Sequence, residues 1–238
     1  ARNAGIRAAN FSYHVFTDDD CEFKPNLLDL YDQSWRDNPS AAIIGGRVKV
    51  IIKGQSNQTT TQQKLLLANY GWCYGLLDYG SVAHACTINE PLFTANFGIK
   101  QNLNKKWYFS ESLGRVTING WLLGAEDCLL SYQKILGGKL VWYDPVLEIA
   151  NVVTADRFSN SYIARRVFLA GIERQIMDQL LSGYSNWKDY PTELRTAVQE
   201  FFVGRYSNVK SLLNWDNYVF SAGYLYWWLF FRTTPRQR

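Results

Sequence analysis

The sequence predicts an α/β layer fold, a mostly parallel sheet flanked by helices, with a helical extension towards the C-terminal end. Three observations predict it. Short apolar runs at residues 13–16 and 140–143 read as strands, and each adjoins a helical pattern. Hydrophobic residues make up 47% of the 238 and charged residues 19%, so a packed core is expected and general disorder is not. Beyond about residue 156 the pattern turns helical, which divides the chain into 1–155 and 156–238.

The elements follow in chain order. "ARNAGIRAAN", residues 1–10, is rich in alanine and reads as a helix. Tyr13 to Phe16 reads as a buried strand of a parallel sheet. Pro25 opens the helix "PNLLDLYDQSW", at a first-turn position that proline tolerates. "AAIIGGRVKVII" is a strand with a glycine break, and "KGQSNQTTTQQ" is a polar exposed loop. "PLFTANFGIKQ" is a short strand-like segment around Asn96. A helix is expected from Glu126 to Leu136, stopped by Gly137-Gly138. A strand from Leu140 to Tyr143 then ends at Asp144-Pro145. Ser161 to Leu181 is a long helix whose apolar stripe is Leu169, Ile172, Ile176 and Leu180.

Composition narrows the function classes. A net charge of +4 makes no case for a nucleic-acid partner. The four cysteines, at 21, 73, 86 and 128, form no CxxC pair, so free thiols in a reducing, cytoplasmic setting are expected. No signal peptide and no membrane-length apolar run are visible. The only methionine is Met177, so the chain is expected to be N-terminally truncated from a longer protein. The segment "YVFSAGYLYWWLFF", residues 218–231, is aromatic and is followed by Arg232, Arg236 and Arg238. Packing on the domain and peripheral membrane contact through residues 218–238 are level readings of it.

Two acid clusters carry the chemistry. If Asp18-Asp19-Asp20 continues its strand, Asp18 and Asp20 face one way and Asp19 the other. Two carboxylates there suit Mg²⁺ or Mn²⁺, which can also bridge a diphosphate. From the triplet alone, a metal site and a solvated turn stand level. An EF-hand is excluded because "DDDCEFKPNLLD" lacks the central glycine. The second cluster is Glu126-Asp127, at the start of a helix. There the acids complement the helix dipole, or one of them serves as a general base.

Taken in order, these segments resemble a family 2-type, GT-A-fold (Rossmann-like) glycosyltransferase, over roughly residues 1–175. "ARNAGIRAAN" looks like that family's helix before the metal-binding strand, and "YHVFTDDDCEFKPNLL" like its strand, DxD motif and Pro-led helix. "FTANFGIKQ" looks like its acceptor-pocket segment, and "GAEDCLLSYQKILGGKLVWYDP" like its Glu-Asp helix and following strand. The resemblance implies a metal-assisted, inverting transfer from a nucleotide-diphospho-sugar donor to a hydroxyl on a saccharide or lipid-linked acceptor. It implies that Asp18 and Asp20 hold the metal and diphosphate, with Asp19, Arg2 and Asn3 near the nucleotide. Asp127 would be the general base, Glu126 its support, and Ala95 and Asn96 would line the sugar or acceptor pocket. The Gln-x-x-Arg-Trp signature of processive synthases is absent, the helix reading "NSYIARRVFLAG", which implies single-sugar transfer. The family also implies work at the cytoplasmic face of a membrane. Two alternatives are a non-catalytic carbohydrate- or partner-binding remnant, and a haloacid-dehalogenase-like phosphatase with Asp18 as nucleophile.

Overall fold

The computed structural model describes residues 1–54, 59–102, 106–114, 117–118, 121–183, 219–220, 222–224 and 226. In chain order the elements are α1 (Arg2–Ala8), β1 (Tyr13–Phe16), β2 (Cys21–Phe23), α2 (Leu27–Asp37), β3 (Ala41–Ile52), α3 (Thr61–Tyr70), β4 (His84–Ala85), β5 (Phe97–Lys100), β6 (Thr117–Ile118), β7 (Trp121–Leu122), α4 (Glu126–Leu136), β8 (Leu140–Val153) and α5 (Asn160–Leu181). They fall into two compact units, Ala1–Phe109 with Asp127–Phe158, and Ser110–Glu126 with Ser159–Arg238.

The first unit is built on a six-stranded sheet in the order β1-β5-β3-β8-β2, with β4 also on β8. The α/β class expected from the sequence holds, but the sheet is not mostly parallel. Only β3 and β8 run parallel among the described strands, and β1–β5, β3–β5, β2–β8 and β4–β8 are antiparallel. Alternation of strands and helices dictates layers, whereas strand direction depends on which strands pair, and that is a long-range choice. β1 is likewise not a buried parallel strand. It ends the described strand order, pairs antiparallel with β5, and leaves Tyr13 48% exposed.

The core occupies both faces of the sheet. Ile44 shares the face of its partner Gly98, over which Tyr31 and Trp35 of α2 close, whereas Ile43, Phe97, Ile99, Val141 and Tyr143 project from the opposite face. The expected strand end at Asp144-Pro145 is instead a bulge inside one 14-residue strand. The register runs from Gly46↔Asp144 directly to Val48↔Ile149, so β8 carries extra residues there. Proline has no N–H for the ladder, which forces the interruption but does not end the strand. The bulge brings β8 so close that a Cβ on Gly46 would lie 1.9 Å from the Leu147 carbonyl, so only glycine fits.

The second unit holds the β6–β7 hairpin and α5. Ser159 caps α5, its Oγ accepting the Tyr162 N–H at 3.3 Å. Leu169, Ile172 and Ile176 are buried as expected, whereas Leu181 rather than Leu180 is the fully buried leucine at the helix end. The described residues of the aromatic segment are helical at 219–220 and 222–224 and pack on α5. A Cβ on Gly171 would lie 2.0 Å from the Phe220 carbonyl, and one on Gly223 equally near that of Phe168, so the two backbones touch through glycine. The Tyr224 hydroxyl and the Arg174 Nε–H both donate to Asp178, each at 2.9 Å. The rest of the tail lies outside the described residues. No helix among the described residues is long and apolar enough to cross a membrane.

Candidate active site

β1 delivers the three acids but does not continue through them. The strand stops at Phe16, and residues 18–21 form a turn closed by the Cys21 N–H donating to the Asp18 carbonyl at 3.3 Å. The turn still separates the acids as strand alternation predicts: Asp18 and Asp20 are half-buried and Asp19 is exposed. The Asp20 carbonyl accepts the Val152 N–H at 2.8 Å, which pins the turn to β8. Burial pushes the neighbouring Cys21 thiol up, which keeps it protonated beside the acids. None of the four cysteines is in a disulfide, as expected.

The first turn of α1 faces this acid turn. The Arg2 guanidinium lies 2.8 Å from Asp18 Oδ1, with both side chains about a quarter exposed. Asn3 is used differently. Its Nδ2 donates to the Phe109 carbonyl and its Oδ1 accepts the Phe109 N–H, both at 2.9 Å. That two-point clamp holds the Phe109 ring edge-on against Phe16, at the end of β1, with centroids 5.3 Å apart.

Asp127 stands in the first turn of α4. Its Oδ2 accepts two hydrogen bonds from one residue, the Thr94 N–H at 2.8 Å and the Thr94 hydroxyl at 3.0 Å. Its Oδ1 accepts the Cys128 N–H at 2.8 Å. Thr94 is 2% exposed and opens the one-turn 3₁₀ helix Thr94–Asn96. In the sequence Thr94 does not stand out beside Ala95 and Asn96, because a lone threonine carries no motif.

Asn96 is buried and fully engaged. Its Oδ1 accepts the Tyr31 hydroxyl at 2.8 Å, and its Nδ2 donates to the carbonyls of Arg47 at 3.1 Å and Leu147 at 2.6 Å. Those carbonyls flank the β3–β8 bulge, so the carboxamide replaces ladder donors that the bulge removes. Ala95 is also buried.

Glu126 belongs to the second unit and is 7% exposed. It follows Ala125, which has a φ of +66°, in the left-handed region that a non-glycine residue seldom adopts. Glu173 of α5 braces this turn, accepting the Gly124 N–H at 2.6 Å with Arg166 at 3.9 Å. The two histidines have local partners. His14 Nε2 faces the Phe11 carbonyl at 2.8 Å, and His84 bridges the Val82 carbonyl at 2.9 Å and Glu90 at 3.2 Å.

The donor chemistry fits one kind of cation. Among the described residues no group of three or more His, Cys, Asp or Glu side chains gathers as a metal cage. Asp18 and Asp20 are two hard carboxylates. Mg²⁺ binds in that way, through one or two carboxylates plus phosphate oxygens and water.

Residues 1–91 match the family described as Glycosyl transferase family 2. The expected resemblance is thereby borne out over that span, which holds Arg2, Asn3 and the three acids; Ala95, Asn96, Glu126 and Asp127 lie beyond it. Among curated proteins nothing matches. A solved structure, GalNAc-T7 with UDP, GalNAc and Mn²⁺, is similar at 13% identity and a TM-score of 0.43, over 97% of this chain and 42% of that one. The chain thus spans less than half the length of that relative.

Proposed function

We propose that this chain is the catalytic region of an inverting glycosyltransferase. It moves a sugar from a nucleotide-diphospho-sugar to a hydroxyl of a saccharide or lipid-linked acceptor. The observation that carries the reading is the family match over residues 1–91, which contains the acid turn and its partner Arg2.

Asp18 and Asp20 would hold Mg²⁺ or Mn²⁺, which when bound neutralises charge building on the departing diphosphate. Asp19, exposed at the tip of the turn, contacts the nucleotide. Arg2, beside Asp18, supplies a fixed positive charge for the same phosphates. Asn3 supports this end of the site through its clamp on Phe109 rather than by reaching the nucleotide. Asp127 takes the proton of the acceptor hydroxyl. The oxygen then bonds to the anomeric carbon from the face opposite the leaving group, and the carbon–oxygen bond to the diphosphate breaks with its electron pair on phosphate. Inversion follows from that in-line geometry. Glu126 keeps a supporting role at the helix start, and Ala95 and Asn96, both buried, belong to the segment that would line the sugar or acceptor pocket.

Contact with the cytoplasmic face of a membrane belongs to the same proposal. Phe220, Gly223, Tyr224 and Tyr226 are used against α5, so that contact rests on the other tail residues, with Arg232, Arg236 and Arg238. Measuring transfer and donor binding side by side in Asp127→Asn tests the reading. Transfer is expected to vanish while binding of UDP with Mn²⁺ survives; full transfer would remove Asp127 from the mechanism, and absent binding would favour a non-catalytic remnant.

A further inference from the structure

The geometry points to Thr94 as the positioning residue of the base, and to Oδ1 of Asp127 as the atom that receives the proton. The inference rests on the glycosyltransferase reading. A carboxylate offers about four lone-pair positions, two on each oxygen. Both positions of Oδ2 face donors on Thr94, its N–H at 2.8 Å and its hydroxyl at 3.0 Å. One position of Oδ1 faces the Cys128 N–H at 2.8 Å. The remaining position on Oδ1 is the one these bonds leave open.

Protonation preserves this arrangement at one oxygen only. With the proton on Oδ1, Oδ2 becomes a carbonyl oxygen and still accepts both Thr94 donors. With the proton on Oδ2, one donor of a residue that is 2% exposed loses its acceptor. Leaving a buried donor unpaired favours Oδ1 by roughly 10- to 100-fold.

Thr94 is itself rigidly mounted. Two residues on, in the same 3₁₀ turn, Asn96 is tied to Tyr31, Arg47 and Leu147 by three hydrogen bonds. The carboxylate is thereby anchored to the β3–β8 bulge through Thr94, as well as to α4 through its own backbone. A base held at one angle keeps its open lone pair aimed at one acceptor oxygen, which is where orientation contributes to rate.

Steady-state kinetics of Thr94 variants test the inference, with the acceptor that the wild-type chain uses best. Thr94→Val keeps the shape and the backbone donor but removes the hydroxyl. It is expected to lower kcat by roughly 10- to 100-fold while KM for the sugar nucleotide stays within about twofold. Thr94→Ser, which restores the hydroxyl, is expected to recover kcat to within about threefold of wild type. Thr94→Ala removes the hydroxyl without a branched replacement and is expected to reproduce the Val result if the Val variant folds poorly. Wild-type kcat in both Val and Ala variants, with Asp127→Asn inactive, would overturn the role of Thr94 and leave the functional reading standing. A loss that Ser does not rescue, or one confined to KM, would also overturn it. An active Asp127→Asn would instead remove Asp127 as the base and with it the role of Thr94, and a wild-type chain that transfers no sugar would overturn the functional reading itself.

Discussion

Asn96→Ala should cost far more in stability than a surface asparagine would. The side chain is 2% exposed and its removal strands three groups: the Tyr31 hydroxyl, the Arg47 carbonyl and the Leu147 carbonyl. Tyr31 and Leu147 are themselves almost wholly buried, so at least two of these groups lose their partner away from bulk water. An unpaired buried polar group costs about 1–3 kcal/mol. Two to three of them therefore predict a loss of about 2–9 kcal/mol, a large part of the about 5–15 kcal/mol of a typical domain. Tyr31→Phe is the matched control, because it deletes only one of the three bonds and leaves only the Asn96 carbonyl oxygen short; about 1–2 kcal/mol is expected. Urea unfolding followed by tryptophan fluorescence reads both, since Trp35 is buried with its ring 5.5 Å from that of Tyr31. A loss below about 1 kcal/mol for Asn96→Ala, or one no larger than that of Tyr31→Phe, would refute the view that Asn96 holds the bulge together.

Two further perturbations probe parts of the chain away from the acids. Gly171→Ala would place a methyl 2.0 Å from the Phe220 carbonyl, so Phe220, Gly223 and Tyr224 should detach from α5, read as faster amide exchange at those residues; unchanged protection would contradict the glycine contact. Lys134 lies over the Trp107 ring at 3.6 Å, yet burial, with a smaller push from Lys139, lowers its pKa to about 8. The unfolded chain then binds the extra proton between that value and the ordinary 10.5, so this residue makes stability rise with pH across that window. Lys134→Met should flatten the rise, measured as urea midpoints from pH 7 to 10, and an unchanged slope would rule out Lys134 as its source.

How much of this was legible in the sequence depended on how local the cause was. The helices at 27–37, 126–136 and 160–181 follow from proline, glycine and apolar spacing within a few residues, and their ends fall close to those signals. The acids of 18–20 stood out because three carboxylates behind an apolar strand are unusual, and their alternation survived even though a turn, not a strand, produces it. Strand direction was not legible. Pro145 signals a stop because proline cannot join a ladder, whereas Asn96, 49 residues earlier, bridges the interrupted region from the side. The polarity of Asn96 looks the same in the sequence whether the side chain faces a site or the core. Thr94 is silent there because its meaning comes only from Asp127, 33 positions away. The aromatic segment was ambiguous for a related reason. Gly171 and Gly223 decide that its described part packs on α5, and the fit of two glycines is visible only when both backbones are placed.

Two quantities followed together in wild type and Asp127→Asn separate transfer from binding: calorimetric binding of UDP with Mn²⁺, and sugar transfer from the corresponding sugar nucleotide. A glycosyltransferase with Asp127 as its base binds UDP with equal, cation-dependent strength in both proteins, with transfer reduced by at least about 10²-fold in the variant. Equal transfer by the two proteins, or UDP binding that is absent or indifferent to Mn²⁺, would contradict it.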